Sequence, residues 1–182
     1  MGYVILGILA VLIVYAIYLY NVLVKHKKTV DNAWSRVDVQ LQRRFDLIPN
    51  ILEAVKGYMN YESETLEKVT KLRMAWNNST SMKEKEDLDK QLESTLQTVF
   101  AVSEGYPELK SSENFERLQE ELRATENMVA ASRQFYNDSV TRYNIKLQVV
   151  PSNIIADLFK FEPAELFMAE SEEARKNVNI EF

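Results

Sequence analysis

The chain has no cysteine and a single histidine, and only four glycines and four prolines among its 182 residues. Without cysteine there are no disulfides, no thiolate catalysis and no cysteine-ligated zinc, as in a reducing compartment. His26 is the only histidine, so residues 29–182 hold neither a histidine-based triad nor a HExxH or ExxH metal motif. Glycines at 2, 7, 57 and 105 lie too far apart for a GxxxxGK[ST] or GxGxxG phosphate loop. So few turn residues leave an all-β fold without punctuation and make helices the expected element. A basic face is also lacking. With Lys25, Lys27 and Lys28 set aside, 19 basic residues face 27 acidic ones, and a domain with that excess does not neutralise nucleic-acid phosphates. No cofactor or metal is expected, although carboxylates alone could carry acid–base chemistry or a metal.

The chain does contain one long uncharged run, YVILGILAVLIVYAIYLYNVLV at residues 3–24. As a helix it spans about 33 Å, enough for a hydrocarbon core of about 30 Å. Tyr3 and Tyr20 fall where interfacial aromatics sit, and Lys25, His26, Lys27 and Lys28 follow at once. A cleaved signal peptide, the alternative, carries its charge before the apolar core and a small-x-small site after it; here the charge comes after. Three lysines beyond the span and only the terminal amine before it put a short N-terminus outside and the bulk of the chain in the cytoplasm. The lysines serve as a stop-transfer flank, or attract anionic headgroups at about 1 kcal/mol each. The expected organisation is an anchor at 1–24, a basic collar at 25–28 and a helical domain at 29–182, large enough for a real core.

Apolar residues after the collar recur in steps of three and four: Val30, Trp34, Val37, Leu41, Phe45, Ile48, Leu52, Val55 and Met59, then Leu66, Val69, Leu72 and Trp76. This is the stripe of an amphipathic helix. Pro49 removes a donor and clashes with the preceding turn, predicting a kink near residues 46–49, with a full hairpin as the alternative. Ser81 and Glu84 have capping-box spacing after the polar run 77–81. The helix that follows carries Leu88, Leu92, Leu96, Val99 and Phe100 and stops near Gly105–Pro107. A longer stripe runs from Phe115 through Leu118, Leu122, Thr125, Val129, Ser132, Tyr136, Val140 and Tyr143 to Leu147, about 50 Å of helix, with glutamates at its N-terminal end where the dipole favours them. The apolar segment SNIIADLFKFE, between Pro151 and Pro163, predicts one or two helical turns packed over the bundle end.

Two segments mix charge densely with the stripe. AWSRVDVQLQRRFDLIPN at 33–50 holds Arg36, Asp38, Gln40, Arg43, Arg44 and Asp46. TENMVAASRQFYNDSVTRYN at 125–144 holds Glu126, Arg133, Asn137, Asp138 and Asn144. They form either a partner-binding surface or an inter-helix network in which Arg43, Arg44 or Arg133 pairs with Asp38, Asp46 or Glu126.

These segments, with YNVLV at 20–24, VKGY at 55–58, GYPELK at 105–110, LQEEL at 118–122, TEN at 125–127, RQFYND at 133–138, YN at 143–144 and PSNIIA at 151–156, closely resemble the LemA family of bacterial single-pass membrane proteins along nearly the whole chain. The resemblance implies an N-terminal transmembrane helix at the inner membrane and a mostly cytoplasmic, antiparallel four-helix bundle. It carries over no catalytic residues, because the family has no agreed biochemical activity. Asp157 and Lys160 depart from it, standing where the family often has small residues. The function expected is a non-enzymatic membrane-anchored scaffold or adaptor at the envelope, with the lipid bilayer and another envelope protein as partners. A self-associating membrane-organising or lipid-binding protein, and so a homo-oligomer, is the alternative.

Overall fold

The computed structural model describes residues 1–56 and 63–167, and every regular element among them is an α-helix: α1 (Gly2–Asp46), α2 (Ile48–Lys56), α3 (Ser63–Asn78), α4 (Met82–Ser103), α5 (Pro107–Lys110), α6 (Glu113–Gln148) and α7 (Ser152–Leu158). The chain is all-α, as its pattern predicts. Met59 and the tail beyond Phe167 lie outside the described residues. The described residues pack as two units, 1–37 with 131–167 and 38–130.

α1 is one helix of 45 residues in which the long apolar run continues directly into the charged stripe. Residues 1–15 are exposed on every side. From Leu23 onward burial follows one face, through Val30, Ala33, Val37, Leu41 and Phe45, at the spacing of an amphipathic helix. Ala33 occupies the buried position and Trp34 sits half-buried at its edge. At Pro49 the interruption is a single residue: Leu47 N–H reaches back only to Arg44 O at 3.3 Å, and Ile51 N–H already bonds Leu47 O at 3.1 Å. The helical path resumes at once, so the interruption falls within the expected residues 46–49 and no hairpin forms there.

In the unit of residues 38–130, α3 returns antiparallel to α1 and α2, because Trp76 near its end stacks on Phe45 with ring centroids 4.2 Å apart. The stripe from Val30 to Trp76 is therefore divided between helices that face each other. The capping box turns the chain into α4: Ser81 Oγ accepts from Glu84 N–H at 3.2 Å, and the Glu84 carboxylate accepts from Ser81 N–H at 3.3 Å. Those backbone donors also hold the Glu84 carboxyl below its usual range. With the first half of α6, this up-down arrangement is a four-helix bundle. Its centre is Leu41, Phe45, Ile48, Leu92, Leu96, Val99, Phe115 and Leu122.

In the unit of residues 1–37 and 131–167, the second half of α6 runs antiparallel to α1, with Tyr136 beside Trp34 and Leu147 near Leu23. α7 follows the end of α6 and packs on α1. Ile155 and Ala156 pack on Leu23, joined by Ala16, Leu19 and Phe161, because the apolar side of so short a helix finds its complement on the apolar run of α1. Residues 161–167 then run back as an extended strap along α6.

Candidate functional site

The charged residues of the two segments divide into an internal set and an exposed set. In the four-helix unit Arg44 is 4% exposed and Asp89 not at all. Arg44 Nη1 donates to Asp89 Oδ1 at 3.0 Å, and Nη2 lies 3.8 Å from Glu126 Oε1. Three helices, α1, α4 and α6, thus meet at one guanidinium. Asp38 pairs with Lys85 rather than with an arginine, and Lys85 also lies 5.2 Å from the Trp76 ring. The Trp76 indole donates to Gln42 Oε1 at 2.8 Å, while Gln42 donates to Asp46 at 2.8 Å. Arg43 and Asp46 face solvent.

Arg44 also closes a cleft of about 250 Å³ between α4 and α6, lined among others by Glu93, Phe100, Glu104, Arg123 and Glu126. These groups can engage polar partners by ion pairing. Among the described residues, no three of histidine, aspartate and glutamate converge to hold a metal ion.

In the other unit the polar residues of α6 read backbone. Asn137 donates to Phe167 O at 3.1 Å and accepts from Phe167 N–H at 2.8 Å. Asn144, seven residues on, repeats this with Ala164 at 2.9 and 3.0 Å. The hydroxyls of Tyr136 and Tyr143 donate to Glu165 O and Glu162 O at 2.9 and 3.0 Å. Two Tyr-Asn pairs one heptad apart therefore clamp an extended strap whose peptide groups have no helix or sheet to satisfy them. Burial, and then nearby carboxylates, raise both tyrosine hydroxyls above their ordinary pKa. The Arg133 guanidinium stands 4.6 Å from the Phe167 ring, and Arg36, otherwise exposed, 5.2 Å from Phe135. Asp138 is exposed.

Tyr3 is exposed, whereas Tyr20 packs on Phe159 and Phe161 with centroids 4.7 and 5.7 Å away. Lys25, Lys27 and Lys28 point to solvent, with Lys28 paired to Asp31 at 3.2 Å. The residues that sequence reasoning missed had signals. Asp89 occupies a buried position on the α4 stripe three residues before Leu92, an acid where an apolar residue is expected. The repeated Tyr-Asn pair also stands out once read at heptad spacing.

These features define an all-helical protein whose first helix is long and apolar enough to cross a membrane. The sequence pattern of the LemA family matches residues 33–182, and the chain belongs to that family. It is similar to Protein LemA of Metamycoplasma hominis, 27% identical over 165 residues that cover 89% of this chain and 75% of the relative.

Proposed function

We propose that this protein is a non-enzymatic scaffold or adaptor anchored in the bacterial cytoplasmic membrane, with residues 3–24 as its span and its helices presented on the cytoplasmic side to another envelope protein. The observation that carries this reading is the continuity of α1: a helix exposed on all sides through residue 15 becomes, without a break, a helix with one buried stripe. The same helix thus carries both the apolar run and a packed stripe. The lysines after the span support the orientation. With Arg44 and Asn137 engaged internally, the exposed Arg36, Arg43, Asp46 and Asp138 are the side chains left to meet a partner.

Cross-linking in native membranes followed by mass spectrometry tests the reading, with Arg43→Glu and Asp46→Lys combined as the variant. A specific cross-linked protein should disappear while thermal unfolding stays unchanged. Identical cross-links in variant and parent would remove this face from the interface. The second reading, a self-associating or lipid-organising protein, is favoured by the exposed apolar residues around α7; large assemblies, or salt-sensitive liposome binding by the collar, would establish it instead.

A further inference from the structure

We propose that α7 and its flanking residues lie inside the lipid leaflet next to the basic collar, so that the chain enters the bilayer at two places. This rests on residues 3–24 being the span. α7 packs on the apolar run of α1 itself. Ile155, Leu158 and Phe159 line an apolar crevice with Ile13, Ala16, Ile17 and Tyr20. If Tyr20 marks the hydrocarbon edge, Ile13 is about 10 Å inside it, and if Lys25 does, about 18 Å. Either boundary carries the end of α7 past the headgroups.

The outward surface of this segment fits that position. Val150, Ile154, Leu158 and Phe159 are 76%, 61%, 70% and 55% exposed, a cluster contiguous with the lipid-facing side of α1 and unlike the scattered apolar residues of a water-facing surface. Backbone groups in lipid need internal partners, and both ends of α7 supply them. Ser152 Oγ donates to Lys146 O at 2.7 Å, and Asn153 N–H bonds Val149 O at 3.0 Å. At the other end Phe159 N–H bonds Ile155 O at 3.0 Å and Phe161 N–H bonds Ala156 O at 2.9 Å, a closure made by Lys160 in the left-handed conformation at φ 54°. Asn153 and Asp157, four residues apart, share one side of α7, and Lys160 follows just past its end. Such a helix lies along the interface with that side toward the headgroups, and Lys160 reaches them with its long stem.

The absence of cysteine makes the test clean. Full-length Val11→Cys, Leu158→Cys, Ile154→Cys and Glu120→Cys variants, each labelled with an environment-sensitive fluorophore, are reconstituted into phosphatidylcholine–phosphatidylglycerol vesicles containing acyl-chain nitroxide lipid. Labels at 158 and 154 should be quenched several-fold more than at 120, approaching the quenching at 11. Quenching at 11 with none above the control at 158 and 154 overturns the second insertion and leaves the anchor standing. No quenching at 11 overturns both. Protection of 158 and 154 from both lipid nitroxide and aqueous iodide means that a second copy covers them, and also overturns the lipid assignment.

Discussion

Both units bind α6 to other parts of the chain through polar side chains, but with different chemistry. In the four-helix unit the contact is ionic and buried: Arg44 joins Asp89 and Glu126 on two other helices. In the other unit it is neutral, with Asn137, Asn144, Tyr136 and Tyr143 bonding the backbone of residues 162–167. The difference follows from what each must hold. Regular helices satisfy their own peptide groups, so a charge between them fixes register at a desolvation cost that an apolar pair would avoid. An extended strap cannot satisfy its own, and amide side chains, which donate and accept at once, match its peptides.

The largest expected effect is on the ionic side. Arg44→Ala leaves Asp89 buried without its guanidinium and should destabilise the full chain in detergent by about 3 to 5 kcal/mol in denaturant unfolding. Arg44→Met combined with Asp89→Leu should cost far less than Arg44→Ala alone; an equal cost would show that the pair contributes net stability. Asn137→Ala or Asn144→Ala should each cost about 1 to 3 kcal/mol, since a peptide N–H and C=O lose their partners. The effect should be local: amide exchange at Phe167 or Ala164 should accelerate with little change at Leu92. Uniform acceleration would mean that the strap is not separately held.

Lys160→Gly should stabilise by up to about 1 kcal/mol, because a side chain at φ 54° crowds the following carbonyl and glycine does not. The smallest effect concerns His26. Desolvation, and then Lys146 and Arg142, lower its pKa below 6.5. The unfolded chain therefore takes up the proton first, and stability should decline as pH falls below about 6.5. His26→Asn should flatten that part of the pH profile.

Periodicity made much of this architecture legible. The apolar run, the α4 and α6 stripes, the Ser81–Glu84 box and the interruption at Pro49 each state a local rule that the packing obeys. The return of α3 onto α1 was hidden, because a stripe that continues through a reversal keeps the same spacing. Arg43 and Arg44 were equivalent in sequence; only the 100° between successive helical side chains, read against Leu41 and Phe45, separates the exposed one from the buried one. Residues 161–167 have no period at all, and their clamp became visible only through Tyr136-Asn137 and Tyr143-Asn144.

That division between adjacent arginines is the centre of the account, since it decides which charges hold the bundle and which remain for a partner. Denaturant unfolding of Arg43→Ala and Arg44→Ala, measured side by side on the full chain in the same detergent, tests it directly. The account predicts a loss of about 3 to 5 kcal/mol for Arg44 and less than about 0.5 kcal/mol for Arg43. Equal losses, or a larger loss at Arg43, would contradict it.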